Sequence, residues 1–102
     1  MSIAKTVLSE ERENLLRQLA RAESQLAELP EGTIHLKKIK GRIYPYRVYR
    51  SGEKVVSVLV KQSESLDDLQ VQIARRVKLK KKIQKIKSEI RMIDLSLKRV
   101  RT

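Results

Sequence analysis

The segment Arg42-Ile43-Tyr44-Pro45-Tyr46-Arg47-Val48-Tyr49-Arg50 decides the fold of this 102-residue chain. It holds all three tyrosines of a sequence that contains no Trp and no Phe. Gly41 precedes the segment, Gly52 follows it, and a further run rich in β-branched residues lies beyond each glycine. Strand-forming runs separated by glycine turns predict an antiparallel β-meander in which residues 42–50 form the central strand.

The outer strands are predicted at residues 33–40 and 54–61, with two-residue turns at Lys40-Gly41 and Ser51-Gly52. With both turns in these places, the same residues of the central strand would have to bond to both neighbours. The backbone groups of one strand residue point to one side only, and Pro45 has no N–H to donate. We therefore predict a bulge at or beside Pro45, or a loop longer than two residues within residues 50–53.

The alternation of residues along the strands predicts two unlike sheet faces. The apolar face, with Arg47 and Tyr49 at its edge, is expected to form the core and contains Ile34, Leu36, Ile43, Pro45, Val56, Val58 and Val60. The opposite face contains His35, Lys37, Arg42, Tyr44, Tyr46, Arg50 and Lys61, with Val48, Val55 and Leu59 among them. Tyrosine can stack on a base or bond to a phosphate while basic residues hold the backbone. The alternative is that these tyrosines only cover the open side of a thin sheet or pack on a helix.

A helix is predicted on the N-terminal side of the meander. Ser9 is typical of an N-cap because two glutamates follow it, where they would lie in the first turn. Pro30 ends the helix, and the pattern leaves open whether residues 2–8 extend it. Its apolar seam, spaced by fours and threes, consists of Leu15, Leu19, Ala22, Leu26 and Leu29.

The last helix carries the longest regular apolar seam of the chain, and Ser65 with Asp68 fits a capping box at its start. This seam has the heptad spacing of a coiled coil and consists of Leu79, Ile83, Ile86, Ile90, Ile93, Leu97 and Val100. A helix over residues 65–100 would be about 54 Å long, so it is expected either to project and pair or to break near residues 76–82. Because the first helix, about 30 Å long, would cover only part of the seam, we predict a homodimer formed through the helices.

These elements predict one α+β domain over residues 1–102. It consists of an N-terminal helix within residues 1–30, a three-stranded antiparallel β-meander within residues 31–62, and a long, basic, coiled-coil-like helix within residues 63–102. The net charge of +12 is distributed unevenly over these parts, which carry −1 (residues 1–29), +6 (residues 30–62) and +7 (residues 63–102). A surplus of this size favours polyanionic partners, of which nucleic acid is the first and an anionic membrane surface the second.

The strongest candidate binding site is the basic run within residues 75–87, because no acidic residue occurs between Gln70 and Ser88. It contains Arg75, Arg76, Lys78, Lys80, Lys81, Lys82, Lys85 and Lys87. A charge run on a helix is usually a solvated face, but such runs normally mix both signs, whereas this one does not. The tyrosine-bearing sheet face supplies a second candidate surface through Lys37, Arg42, Tyr44, Tyr46 and Arg50.

No residue pattern in the sequence indicates a reaction. The absence of cysteine excludes disulfides and cysteine-based zinc sites, and the single histidine, His35, has no partner at ligand spacing. We therefore expect a protein that is not an enzyme and that uses no cofactor and no metal. No apolar run is long enough to span a bilayer, and a cytoplasmic location is expected (the host cytoplasm if the origin is viral or plasmid). One asparagine and no cysteine in a Lys-rich chain favour a thermophile.

The central part of the chain resembles a family of small uncharacterised archaeal and bacterial proteins that are often associated with mobile elements. The matching residues are Leu29-Pro30-Glu31-Gly32-Thr33-Ile34, Gly41-Arg42-Ile43-Tyr44, Tyr46, Tyr49-Arg50 and Gly52-Glu53-Lys54. The resemblance supports the helix–meander–helix architecture and implies a DNA-related context. Many such sequences carry cysteines in the first hairpin, and because this chain has none, no metal role is carried over.

The predicted function is non-enzymatic binding of nucleic acid, with DNA favoured over RNA and little sequence preference, by a homo-oligomer. The first alternative is a structural or adaptor protein that uses the apolar seam to recruit a protein partner. The second is a protein of anionic membrane surfaces, which ranks lower because the basic run lacks bulky apolar residues outside the seam.

Overall fold

The computed structural model describes residues 3–100 and shows an α+β chain. Helix α1 (Ile3–Glu28) is followed by strands β1 (Thr33–Ile39), β2 (Arg42–Ser51) and β3 (Lys54–Leu59), and helix α2 (Leu66–Arg99) completes the chain. The strands form one antiparallel sheet in the order β1-β2-β3, which confirms the predicted meander between two helices. Neither described helix is long and apolar enough to cross a membrane.

The chain divides into two compact units. The helical unit consists of the described residues up to Glu28 together with those from Lys78 onward, and the sheet unit is Leu29–Val77. Helix α2 is continuous and contributes to both units, so the break that the sequence left open near residues 76–82 does not occur.

The predicted irregularity of the sheet is wrong, because both turns are tight and the β1–β2 ladder runs unbroken across Pro45. The first turn lies at Lys40-Gly41, as predicted, and both of its residues have positive φ (50° and 80°), as a type I′ turn requires. The second lies one residue later than predicted, between the paired Ser51 and Lys54. Its first central residue, Gly52, has a φ of 64°, as in a type II′ turn.

Moving the second turn by one residue removes the conflict in the central strand. Arg42 now closes the first hairpin and Ser51 the second, so even-numbered residues of β2 bond to β1 and odd-numbered ones bond to β3. Pro45 is odd-numbered, and its missing N–H therefore faces β3 at the end of that strand, where its carbonyl accepts a bond from the Val60 N–H (2.9 Å). The proline costs one bond at the end of a ladder instead of interrupting the sheet.

The structure confirms the predicted N-cap of α2 but not that of α1. Ser65 is the N-cap of α2, because its Oγ accepts a hydrogen bond from the Asp68 N–H (3.2 Å). Ser9 is not an N-cap, since α1 begins six residues earlier, at Ile3. Residues 3–8 contain no Gly or Pro, and Leu8 is half-buried one heptad before Leu15, so the apolar seam itself extends the helix.

The core of the helical unit lies between α1 and α2. Leu15 and Ala22 are buried on α1, and Ile83 and Ile86 are buried on α2 (3–5% exposed). Arg12 Nε donates to Asp94 Oδ1 (2.6 Å), while Leu15 lies beside residues 85–93, so the helices run antiparallel. With 26 residues, α1 is about 39 Å long and covers this part of the seam within one chain. Ile83 and Ile86 thus belong to the part of the seam that the first helix covers, and a second chain on the rest of the seam stays a prediction.

Candidate nucleic-acid interface

The strand residues lie on the two sheet faces as predicted, but the apolar face is covered only in part, because Leu36 (66% exposed), Ile43 (65%) and Val58 (44%) remain exposed on it. We call it the covered face and the opposite one the open face. On the covered face, Val60 is buried (7% exposed). It lines a depression of about 620 Å³, and Ile43, Pro45 and Leu66 of α2 line the same depression. A second depression brings Ile34 of β1 next to Ile73 of α2. The first turns of α2 thus pack on this face.

We define the open face by the strand residues on the other side of the sheet. They are Thr33, His35, Lys37 and Ile39 of β1, Arg42, Tyr44, Tyr46, Val48 and Arg50 of β2, and Val55, Ser57 and Leu59 of β3. Tyr44, Tyr46 and Val48 at its centre are half-buried, and the others are exposed. One accessible surface therefore holds all the sheet residues that the sequence predicted to bind, namely Lys37 on β1 and Arg42, Tyr44, Tyr46 and Arg50 on β2.

Lys37 lies across all three strands of the open face. Its Nζ stands 4.4 Å from the centroid of the Tyr46 ring on β2 and donates to Ser57 Oγ on β3 (3.3 Å). A cation over an aromatic face is attracted to the negative side of the ring. The ammonium group therefore covers one face of the Tyr46 ring.

The charge of the open face has one sign. The three strands contain no Asp or Glu. Lys37, Arg42 and Arg50 lie on the open face, and the exposed Lys61 follows β3. The bond from the Val60 N–H to the Pro45 carbonyl continues the β2–β3 register, so Lys61 comes opposite Tyr44. The open face is therefore positive and partly apolar, and a positive surface attracts polyanions.

Arg47 and Tyr49, which the sequence placed at the edge of the apolar face, are engaged with each other and with the backbone. The Arg47 guanidinium stacks on the Tyr49 ring (4.3 Å to its centroid) and donates to the Glu31 carbonyl (2.8 Å). These contacts tie β2 to the segment that follows α1. The side chains therefore stabilise the sheet unit and are not part of the open face.

The basic run of α2 separates into residues that are engaged and residues that are exposed. Arg76 is engaged: it donates to the Leu29 carbonyl (3.2 Å) and forms an ion pair with Glu31 (3.6 Å). Arg75 is exposed in the sheet unit. The exposed lysines of the helical unit, called the lysine run below, are Lys78, Lys80, Lys81, Lys82, Lys85 and Lys87.

The lysine run surrounds the buried seam without interrupting it, since Ile83 and Ile86 between its members are buried. Among residues 3–100, no ion pair involves any of these lysines. Their charges are therefore not neutralised by acidic side chains of the described chain. A flexible lysine in water suits contact with phosphate as a point charge.

Two residues of the open face, Ser57 and Lys61, were not among the binding residues predicted from the sequence. Ser57 was not a candidate, because its place opposite Val48 follows from the position of the second turn. Lys61 was assigned to the correct face but was not among the predicted binding residues. Within residues 3–100, no group of three or more His, Cys, Asp or Glu side chains is arranged to hold a metal ion.

Comparison with known proteins identifies one family. A family model described as a domain of unknown function, DUF6788, matches residues 8–71. The matched part begins within α1, includes the whole sheet and ends within the first turns of α2 that pack on it. No curated protein and no solved structure matches the chain.

Proposed function

The chain belongs to the DUF6788 family, a domain of unknown function, and we propose that it binds nucleic acid without catalysing a reaction. The observation that carries this proposal is the open face, on which exposed Lys and Arg surround two tyrosines in a sheet whose strands hold no acidic residue. The lysine run on α2 adds a second positive surface. DNA is favoured over RNA in this proposal because of the resemblance to proteins associated with mobile elements.

The physical basis of the proposal is the release of counterions. Each phosphate that a Lys or Arg neutralises releases a condensed cation into solution, so the affinity falls as the salt concentration rises. The net charge of +12 and the absence of ion pairs at the lysine run within residues 3–100 make these charges available for such contacts.

The test of the lysine run is a variant that removes its charge without removing its helix propensity. Replacing Lys80, Lys81, Lys82 and Lys85 with Gln is expected to lower the affinity for all DNA sequences alike. The slope of log K against log salt is expected to become shallower by up to about 3–4, since each lost phosphate contact changes it by about 0.9. Fluorescence anisotropy with a labelled duplex at several salt concentrations measures both quantities.

The matched control removes the same number of charges elsewhere. Arg17, Arg21, Arg91 and Lys98 are exposed, and their joint replacement by Gln changes the net charge equally. If this control loses as much affinity and slope as the lysine variant, the effect is due to net charge and the lysine run is not a binding surface. Circular dichroism shows whether both variants remain folded.

A protein partner is the second candidate function, favoured by exposed apolar side chains. Met92 (64% exposed) and Leu95 (44%) lie on α2, and Leu36 (66%) and Ile43 (65%) lie on the sheet. Surfaces of this kind mark contact sites when their residues are contiguous. Absence of DNA binding at low salt would favour this adaptor function.

Self-association through the helices remains part of the proposal. Only five apolar side chains are buried among the described residues, and Ile90, Ile93 and Leu97 of the seam are half-buried. A second copy would cover the apolar surface that α1 leaves accessible.

A further inference from the structure

We infer that the open face of the sheet enters the major groove of duplex DNA, with β2 along the floor of the groove. This inference rests on the proposed function and specifies which form of nucleic acid the sheet binds and how. It follows from the distribution of charge over the face, the width of the sheet and the limited accessibility of the tyrosine rings.

Three of the four cations of the open face lie at its border, since Lys61 follows the outer strand β3 and Arg42 and Arg50 lie towards the two ends of β2. Lys37 is attached to the outer strand β1, and its ammonium reaches inward over the Tyr46 ring. The centre holds Tyr44, Tyr46 and Val48. In a groove, the phosphates form the two walls and the base edges form the floor, so cations belong at the border and hydroxyl or apolar groups at the centre.

The width of the sheet decides how it can meet a groove. Three strands spaced about 4.8 Å apart occupy about 14 Å, so the sheet would lie across the mouth of a major groove about 12 Å wide, and only β2 would reach towards the floor. The minor groove, about 6 Å wide, does not admit three strands. Successive residues on one face of a strand are about 6.8 Å apart, so Tyr44, Tyr46 and Val48 would meet neighbouring base pairs along the floor of the groove.

The tyrosines are poorly arranged as a platform for single strands. Stacking on a base needs an accessible ring face, and the Lys37 ammonium lies over the Tyr46 ring while it also bonds to Ser57. Both Tyr44 and Tyr46 are half-buried. A tyrosine hydroxyl can donate or accept a hydrogen bond, as contacts to base edges in a groove require.

The experiment uses the full chain carrying Gln at Lys80, Lys81, Lys82 and Lys85, so that the sheet dominates the binding that is measured. Its affinity is determined for one labelled duplex in four states: unmodified, with bulky C5 substituents on the pyrimidines that fill the major groove, saturated with netropsin in the minor groove, and as the separate single strand. We expect the C5 substituents to weaken binding at least about tenfold, since base contacts each discriminate by this order, and netropsin to change it less than about twofold.

A pair of matched variants tests the border charges in the same background. Replacing Arg42 and Lys61 with Gln is expected to make the salt slope shallower by about 2. Replacing Lys38 and Lys54, which lie on the covered side of the register, removes equal charge and is expected to change the slope by less than half as much.

The outcomes separate the inference from the proposed function. Loss of binding to the duplex with the filled major groove, together with the difference between the two variant pairs, supports the inference. Unchanged binding to that duplex, displacement by netropsin or tighter binding to the single strand overturns it while leaving nucleic-acid binding in place. If the unmodified chain binds neither duplex nor single strand at low salt, the proposed function itself is wrong.

Discussion

Gly32 is the glycine position at which the fold most directly excludes a side chain. Its φ is 111°, and a Cβ there would overlap the carbonyl oxygen of Val48. Gly32→Ala is expected to destabilise the protein by roughly 1–3 kcal/mol, because both a strained backbone and a displaced strand are required. Urea denaturation measures this loss. Gly41→Asn is the control, since Gly41 has open space around it and Asn tolerates a positive φ; an equal loss in both variants would contradict the role of the close approach.

Ser65 stabilises the start of α2 by satisfying the Asp68 N–H. Ser65→Ala is expected to cost about 1 kcal/mol, measured as a shift in the urea midpoint without a change in slope. Ser63→Ala, two residues earlier in the exposed loop, is expected to change stability by less than half of this. Similar midpoints for the two variants would show that Ser65 is not an effective cap.

The two serines show how far a local signal can be trusted. Both are followed by acidic residues, yet only Ser65 begins a helix. The segment before Ser65 is a turn with a bond from the Glu64 N–H to the Lys61 carbonyl, whereas the segment before Ser9 can continue the helix. A cap was predictable where the preceding chain turns away, and not where helix-compatible residues precede it.

The pairing of α1 with α2 makes the buried part of the seam sensitive to truncation. Ile83→Ala is expected to destabilise the protein by about 2–5 kcal/mol, through lost burial and a remaining cavity. Met92→Ala on the same helix is expected to have little effect, because Met92 is 64% exposed. Thermal and urea unfolding compare the two. Equal and small losses would mean that α1 does not cover the seam at Ile83.

The hydrogen-bonding conflict predicted for β2 was real, but its predicted solution, a bulge or a longer loop, was wrong. The alternation of apolar and polar residues predicted the strands and both faces, because a register change of two residues leaves every side chain on its face. The position of the second turn decides which residues of β2 bond to β3. Gly52 fits the first central position of a type II′ turn, and this preference, added to the parity of β2, would have identified the turn. The contact between Lys37 and Ser57 depends on that register and could not be predicted before it.

The assembly of the whole molecule is testable by mass. We expect sedimentation equilibrium at micromolar concentration to give at least twice the 11.9 kDa of one chain, because few apolar side chains are buried within it. Ile90→Asp is expected to lower this mass, since Ile90 is half-buried on the accessible part of the seam. Lys98→Gln, on an exposed position of the same helix, serves as the control. A mass of one chain for the unmodified protein would rule out self-association.

The central claim is that this chain binds nucleic acid through exposed cations that neutralise phosphates. The most direct measurement is the affinity of the unmodified protein for a duplex as a function of salt concentration. If about six phosphates are neutralised, the slope of log K against log salt is near −5. Retention on DNA at physiological salt with such a slope is the predicted result; a slope near zero, or no binding at low salt, would contradict the account.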